Sequence, residues 1–266
     1  MLKFYYAPIS ANSQRVWITL LEKQIPFEPI IVNLDGEQFQ SEFTAINPLQ
    51  QVPAIVDNGL RVFESLAILD YLEAKYPEPE LMPKELDKLA IARMISMVSV
   101  TELQPAAITL SKQLVGVEID PTSVEKARQR AMAILQFFEE TIADKPYFTG
   151  NTFTSADIVA GTLVPSAAMF GISLDPYPGL NAWIDRLSQR NDNFLIMPDI
   201  ILTQCATFTV FEPFLTNLIT AHMEVPNRFR YIHKAVFLLV DDYFAIFIFR
   251  MPSIDNTAAT IIDKWG

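Results

Sequence analysis

The spacing of apolar residues changes its period several times along the first eighty positions of the chain. Alternating or continuous apolar runs predict strands at 2–6, 27–32, 54–57 and 60–63, and helical spacing predicts helices at 13–23, 37–45 and 65–76. Asn58-Gly59 lies between the last two strands, where this dipeptide favours a tight hairpin turn. This order of elements predicts a small sheet with a crossover helix, and Pro77 and Pro79 end the domain near residue 80.

From residue 85 to residue 197 the spacing is helical almost throughout. Apolar positions predict a long helix over 86–115, a second over 124–142 and a shorter one over 180–190. Thr154 and Asp157 have the spacing of a capping box, in which the two residues satisfy each other's backbone amides, so a buried helix begins there. We therefore expect an all-α helical bundle as the second domain.

Composition and charge narrow the class of protein. The chain has 266 residues, of which 50% are apolar and 19% charged, and this favours a globular protein of two modest domains. Its net charge of −11 has the wrong sign for a surface that follows a phosphate backbone. A nucleic-acid partner is therefore not expected.

The cysteine content and the apolar segments bear on the cellular setting. Cys205 is the single cysteine, so neither an internal disulfide nor a Cys/His metal cage is expected, and a reducing, cytoplasmic setting fits best. The first residues lack the features of a signal peptide. The longest uncharged apolar stretch, 158–174, contains Pro165 and is too short to span a membrane, so no membrane association is expected.

The junction between the first strand and the first helix is the first candidate for chemistry. Ser10, Asn12 and Ser13 lie there, where free amide groups and the helix dipole favour an anion. A hydroxyl in this position can stabilise a thiolate. The alternative is that Ser13 or Asn12 is an ordinary helix cap.

Two further junctions suit a peptide-like ligand. Val52-Pro53 enters a strand, and a cis-proline there would leave the Val52 backbone free to pair with an extended peptide, whereas an ordinary trans strand-entry proline is the alternative. Glu64-Ser65 lies at a strand-to-helix turn, with Ser65 expected as the helix cap. The turn can hold a carboxylate while Glu64 pairs with an ammonium group, and the alternative is a plain cap beside a surface glutamate.

Taken in order, these motifs resemble the N-terminal thioredoxin-like domain of the cytosolic glutathione transferases. The matching segments are Asn47-Pro48, Val52-Pro53-Ala54 and the run from Glu64-Ser65 through Ala67-Ile68 to Tyr71-Leu72, and the resemblance continues through 153–158 to cover about residues 1–197. It implies an α/β thioredoxin-like N-terminal domain plus an all-α helical-bundle C-terminal domain. It also implies a homodimer that uses glutathione as co-substrate and no metal.

The resemblance assigns catalytic candidates by position. Ser10, five residues before Arg15, stands where the serine classes of the family place the hydroxyl that hydrogen-bonds the glutathione sulfur. Tyr6, where the tyrosine classes place theirs, is the second candidate, and Ser13 is the third. A donor directed at sulfur raises the thiolate fraction, and the thiolate attacks an electrophilic carbon or a peroxide.

The resemblance also assigns the binding positions. For glutathione they are the Val52 backbone, Pro53 as the cis-proline, Gln51, Glu64 with Ser65 at the γ-glutamyl end, and Gln38 near the glycyl carboxylate. Phe39 stands where many relatives have a polar residue, which weakens the expected glycyl contact. The positions expected to line a pocket for a small hydrophobic electrophile are Pro8, Ile9, Met97, Thr101, Gln104 and Ile108, with membership of the core as the alternative for each.

Several functional alternatives stay open at this point. Conjugation or peroxide reduction is favoured over thiol transfer because no cysteine lies near Ser10, and a glutathione-dependent reductase would use the same site. A catalytically silent binding or regulatory module is the rival. A chain of net charge −11 needs local positive potential to bind anionic glutathione, and Arg15 with the helix amides could supply it, although a structural role fits Arg15 equally.

The segment 198–266 departs from the family pattern. It is rich in aromatic residues, and its runs 236–240 and 243–249 resemble strands separated by Asp241-Asp242. One hypothesis is that 199–252 is an insertion within an ordinary C-terminal tail. It would either cover the electrophile pocket or pack loosely and lower solubility.

Overall fold

The computed structural model describes residues 1–114 and 117–190, together with the two short strands 237–240 and 243–246. The N-terminal domain contains β1 (Leu2–Tyr6), α1 (Ala11–Glu22), β2 (Phe27–Ile31), α2 (Ser41–Thr44), β3 (Ala54–Asp57), β4 (Leu60–Phe63) and α3 (Ser65–Lys75). The sheet order is β2-β1-β3-β4, in which only the β1–β2 pair is parallel. The predicted thioredoxin-like domain is confirmed.

The core of this domain forms because α1 and α3 place their apolar residues against one face of the sheet. Val16 and Leu20 of α1, together with Ile68 and Leu72 of α3, are buried against Phe4 and other residues of β1 and β3. This packing fixes the position of both helix N-termini relative to the ends of the strands.

Three predicted boundaries in this domain need correction. The first helix begins at Ala11 instead of residue 13, because Ser10 acts as its cap. The predicted helix 37–45 is a 3₁₀ turn, Glu37–Phe39, followed by α2, since the backbone of Gln40 is extended. The cap position of α3 is Glu64 and not Ser65, which is the first helical residue.

The second domain is helical, as predicted. It contains α4 (Leu86–Val98), α5 (Gln104–Leu114), α6 (Pro121–Ile142), α7 (Ser155–Gly161) and α8 (Pro178–Gln189), with a 3₁₀ segment at Val164–Phe170. The helices α6, α7 and α8 share a core that includes Phe138, Phe148 and Trp183.

The long helix predicted over 86–115 is helical throughout its described part, but a π-helical turn, Ser99–Leu103, lies between α4 and α5. Pro105 has no N–H to donate to the carbonyl four residues before it, so the regular α-helical ladder cannot pass through this point. The Ser99 hydroxyl also donates to the Ile95 carbonyl (2.8 Å), which offers that backbone oxygen a side-chain partner. The wider turn absorbs the break without ending the helical direction.

The predicted capping box at the start of α7 is confirmed. Asp157 Oδ2 accepts from the Thr154 amide (2.9 Å) and hydroxyl (3.1 Å), while Oδ1 accepts from the Phe148 amide (3.1 Å) and Trp183 Nε1 (3.0 Å). The carboxyl group is completely buried, and this burial raises the pKa of Asp157 to about 6. A single side chain thus joins α7, α8 and the preceding loop.

The connection between the domains is held by Lys23, whose ammonium group is buried. It forms an ion pair with Glu73 (2.7 Å) and donates to the carbonyls of Tyr76 and Pro79 (both 2.8 Å). Further along the linker, the Ser155 amide donates to the Leu81 carbonyl (2.7 Å). The end of α1, the end of α3 and the linker are therefore fixed together.

Two strands of the C-terminal segment are described, β5 (Phe237–Val240) and β6 (Tyr243–Ile246). They pair antiparallel where strands were predicted; both strands contact α5, and β6 also contacts α1. The other predictions for 198–266, including the insertion at 199–252, lie outside the described residues. None of the helices in the described ranges is both long and apolar enough to cross a membrane.

Candidate functional site

Ser10 lies at the N-terminus of α1, directly after β1. Its side chain is only 2% exposed, and its Oγ accepts from the Ser13 amide (3.3 Å). Within the described residues the hydroxyl proton of Ser10 has no acceptor, so it remains available to a ligand. The free amide groups of the first turn of α1 and the positive end of its helix dipole lie at the same place, and both favour an anion here.

The other two catalytic candidates hold structural positions. Ser13 is buried, and its Oγ accepts from the Ala7 amide (3.3 Å), which fixes the turn before Ser10. Tyr6 is buried with its ring 5.1 Å from the centroid of Phe4 and 5.0 Å from that of Trp17. Burial raises the pKa of Tyr6, so its hydroxyl stays protonated at neutral pH.

The loop before β3 carries a cis peptide bond between Val52 and Pro53, the isomer that the resemblance implied. The hydrogen bonds of the described residues leave the Val52 amide and carbonyl unused, as pairing with an extended peptide requires. The Gln51 side chain is exposed beside them.

Asn47 braces this loop, a role that the sequence analysis missed. Its Nδ2 donates to the Gln51 carbonyl (2.6 Å), and its Oδ1 accepts from the Leu49 amide (2.9 Å). The side chain is buried, so both bonds are shielded from water. The Asn47-Pro48 pair was visible in the sequence, but the residues that it holds could not be read from spacing alone.

Glu64 links β4 to α3 in an unusual backbone conformation. Its φ is +70° and its ψ is +115°, which is strained for a residue with a Cβ, and its exposed side chain makes no capping bond. The first amides of α3 are consequently left without a side-chain acceptor from this position. Such a turn offers backbone donors to a carboxylate, with the Glu64 carboxylate nearby for an ammonium group.

Arg15 lies behind these two helix N-termini and is fully buried. Its Nη1 donates to Asn12 Oδ1 (2.5 Å) and Ser65 Oγ (3.4 Å), its Nη2 to Gln104 Oε1 (2.7 Å) and its Nε to Thr162 Oγ1 (3.1 Å). Four helices, α1, α3, α5 and the end of α7, meet at this guanidinium. In the sequence Arg15 stands out only as the one charged residue of α1 before Glu22.

Gln38 does not face the site as predicted. It is fully buried, with its Oε1 accepting from the Gly36 amide (3.0 Å) and its Nε2 donating to the Leu34 carbonyl (3.4 Å). Its polar atoms are therefore used within its own loop, while the neighbouring Phe39 is 53% exposed. This arrangement opposes the expected contact with a glycyl carboxylate.

The residues expected to line an electrophile pocket differ in their surroundings. Pro8 is buried and Ile9 half-buried directly before Ser10, while Gln104 and Ile108 are half-buried on α5. Gln104 is brought to the site by its bond to Arg15. Met97 and Thr101 are exposed on α4 and the π-helical turn, and the pocket itself stays a prediction.

The described ranges contain no cluster of three or more His, Cys, Asp or Glu side chains able to hold a metal ion. The site thus consists of helix N-termini, a free strand-like backbone segment, hydroxyl groups and one buried guanidinium.

Comparison with known families gives two matches that together cover most of the chain. The family model described as the glutathione S-transferase N-terminal domain matches residues 4–80, and the one described as the glutathione S-transferase C-terminal domain matches residues 90–191.

Similar proteins carry related names. A maleylacetoacetate isomerase from Rattus norvegicus is 36% identical over 175 residues, which is 65% of this chain and 81% of that protein. The Arabidopsis thaliana protein named glutathione S-transferase Z1 is 35% identical over 185 residues, with 67% and 83% covered. Among solved structures, apo human glutathione S-transferase T1-1 has a TM-score of 0.70 at 25% identity, with 84% of this chain and 98% of that chain covered.

Proposed function

Since this chain belongs to the glutathione S-transferase family, we propose that Ser10 activates glutathione as a thiolate for attack on an electrophile or a peroxide. Membership of the family makes the chain a transferase that uses glutathione as its co-substrate. The observation that carries the proposal is the free hydroxyl proton of Ser10 at the N-terminus of α1.

The activation step follows from the placement of Ser10. The hydroxyl donates to the sulfur, and the α1 amides add a positive potential, so the charged form of sulfur is stabilised relative to the thiol. A free thiol has a pKa of about 8.5, and helix N-termini lower thiol pKa values to between about 3.5 and 7.5. The thiol proton leaves to water, and the thiolate then forms the new bond to the electrophilic atom.

Two chain segments are proposed to hold glutathione in place for this step. The backbone of Val52, which lies outside the β3 ladder, pairs with the cysteinyl part. Ser65 and the first amides of α3 bind the γ-glutamyl carboxylate, while Glu64 pairs with the α-ammonium group. The exposed Gln51 is the remaining polar side chain at this end of the loop.

A second candidate reaction comes from the names of the relatives. Two relatives called maleylacetoacetate isomerase, from rat and mouse, are 36% and 35% identical to this chain. The thiolate proposed here could also act as an isomerisation catalyst: it adds to an activated double bond, the resulting single bond rotates, and elimination restores the double bond and the thiolate. Glutathione is consumed in conjugation and peroxide reduction but regenerated in isomerisation, so its stoichiometry separates the reactions.

Other properties are proposed from the family alone. They are a homodimer, a cytoplasmic location and a pocket for a small hydrophobic electrophile formed by Pro8, Ile9, Met97, Thr101, Gln104 and Ile108. Size-exclusion chromatography with light scattering tests the dimer. The rival to an enzymatic role is a silent glutathione-binding or regulatory module.

The decisive experiment is an ultraviolet titration of the thiolate band of bound glutathione against pH. We expect a lowered thiol pKa in the wild type and a markedly higher one in Ser10→Ala. Ser13→Ala is the matched control, because it removes another hydroxyl from the same turn. That hydroxyl accepts from the Ala7 amide and is not the one proposed to face the ligand. Bound glutathione with an ordinary thiol pKa in the wild type would favour the silent module.

A further inference from the structure

Arg15 is a cation in a place where a protein rarely leaves one unpaired. Its side chain is 0% exposed, yet in the described part of the chain it forms no ion pair. The groups that face it from α1, α3, α5 and α7 are all neutral: Asn12, Ser65, Gln104 and Thr162. Buried charges are normally paired, because their desolvation is costly.

The charge is nevertheless retained. Burial lowers the pKa of the Arg15 guanidinium to about 9, which leaves it cationic at neutral pH. Its hydrogen bonds to four oxygen atoms use four of its five N–H donors but contribute no negative charge. A net positive charge is thus fixed between the N-termini of α1 and α3.

We propose that Arg15 is a positioning residue whose uncompensated charge holds the glutathione anion in the site and favours its thiolate form, without touching the sulfur. The inference rests on the proposed activation by Ser10 and deepens it. Because Arg15 is buried beneath its partners, it acts through them and through its field. The Ser65 hydroxyl accepts from Arg15, so its own proton is left to donate towards the γ-glutamyl carboxylate.

The guanidinium lies close to both helix N-termini, since its Nη1 donates to Asn12 on α1 and to Ser65 on α3. For unit charges about 10 Å apart in an effective dielectric of about 20, the coupling corresponds to a shift of roughly one pKa unit. The effect resists added salt because a buried charge is poorly screened.

Three variants separate the charge of Arg15 from its structural role. Arg15→Met removes the charge together with the hydrogen bonds, whereas Arg15→Lys offers three donors to the four acceptors, on an ammonium group that burial readily deprotonates. Gln104→Glu keeps an acceptor opposite Nη2 and cancels the charge. Gln113→Glu, exposed on the same helix, is the matched control for an added negative charge.

The measurement is the thiol pKa of glutathione bound to each full-length variant, taken from the thiolate band, with glutathione affinity as a second readout. We expect the wild type and Gln113→Glu to share a low thiol pKa, and Arg15→Lys to lie between them and Arg15→Met because burial leaves its ammonium group only partly charged. Arg15→Met and Gln104→Glu should raise the thiol pKa by about one unit, which is tenfold in the ionisation constant, and weaken binding. Thermal unfolding should show both Arg15 variants destabilised.

The outcomes distinguish this inference from the proposal on which it rests. An unchanged thiol pKa in Arg15→Met or in Gln104→Glu would overturn the inference, because each of these variants removes the net positive charge. If Arg15→Met does not fold, Gln104→Glu decides alone. An ordinary thiol pKa in the wild type would instead refute activation by Ser10, and the inference with it.

Discussion

The capping carboxylate of α7 allows a quantitative test, because Asp157 titrates inside the fold. Its carboxyl group accepts four hydrogen bonds but is completely buried, and its pKa is raised from 3.8 to about 6. A group with a raised pKa in the folded state favours folding most when it is protonated. Its contribution is therefore full below pH 3.8 and is lost as the pH rises through about 6.

The size of the effect follows from linkage. Between pH 5 and pH 7.5, a pKa of about 6 in the folded state and 3.8 in the unfolded state changes the free energy of unfolding by about 1.4 kcal/mol. Asp157→Asn removes this titration and places an NH₂ group or an oxygen opposite each donor. Both carboxyl oxygens accept hydrogen bonds, and the NH₂ group of asparagine cannot accept from the donors that face it. We therefore expect the free energy of unfolding to fall by about 2 kcal/mol at pH 7.5.

The prediction is a deficit that grows as the pH falls. Asp157→Asn should be less stable than the wild type by about 2 kcal/mol at pH 7.5 and by about 1.4 kcal/mol more at pH 5. Urea unfolding at the two pH values, followed by tryptophan fluorescence, measures the difference, since Trp183 is a direct partner of Asp157.

Asp120 serves as the control, because it is a capping aspartate whose pKa is lowered instead of raised. Asp120 caps α6 at the surface, and its hydrogen bonds to Ser123 lower its pKa. Its stabilising contribution is lost only as the pH falls below the pKa of an ordinary aspartate. Asp120→Asn should therefore show the same deficit in the free energy of unfolding at pH 5 and pH 7.5. A pH-independent deficit for Asp157→Asn, or one larger at pH 7.5, would refute the reasoning.

Three further perturbations have definite expected outcomes. Glu64→Gly relieves the strain of the positive φ, so the free energy of unfolding should rise by about 1 kcal/mol in chemical denaturation. Glutathione binding, measured by calorimetry, should weaken. A destabilised variant would show that the backbone at Glu64 is not strained. Asn47→Ala leaves the Leu49 amide and the Gln51 carbonyl without their partner, so it should lower the free energy of unfolding by about 2 kcal/mol and weaken glutathione binding. An unchanged affinity would mean that other contacts hold the loop. Deletion of 199–252 should leave a folded protein that still binds glutathione and is at least as soluble, and a core that unfolds without this segment would contradict its interpretation as an insertion.

Much of the fold could be predicted from the sequence because its elements depend on local patterns. The strands of the first domain lie within a residue of their predicted bounds, since apolar alternation and the Asn58-Gly59 turn determine them. The capping box at Thr154 and Asp157 was visible for the same reason. The break after α4 had a local cause as well, because Pro105 was present in the predicted helix.

The site was harder to predict because its decisive contacts join distant parts of the chain. Arg15 and Thr162 are 147 positions apart, and no spacing rule brings them together. Gln38 has the opposite problem, since its position suits a ligand contact but a local loop uses both of its polar groups. Motifs thus identified the helix N-termini, whereas the surroundings of each side chain required the three-dimensional structure.

The buried ammonium of Lys23 has a consequence for motion. With Glu73, Tyr76 and Pro79 all bound to it, the linker has few torsions left to act as a hinge. We expect the two domains to move as one body on the timescale of turnover. Access of a second substrate would then depend on rotations of side chains around Ser10, and selection among substrates would depend on the shape of those side chains more than on closure of the domains.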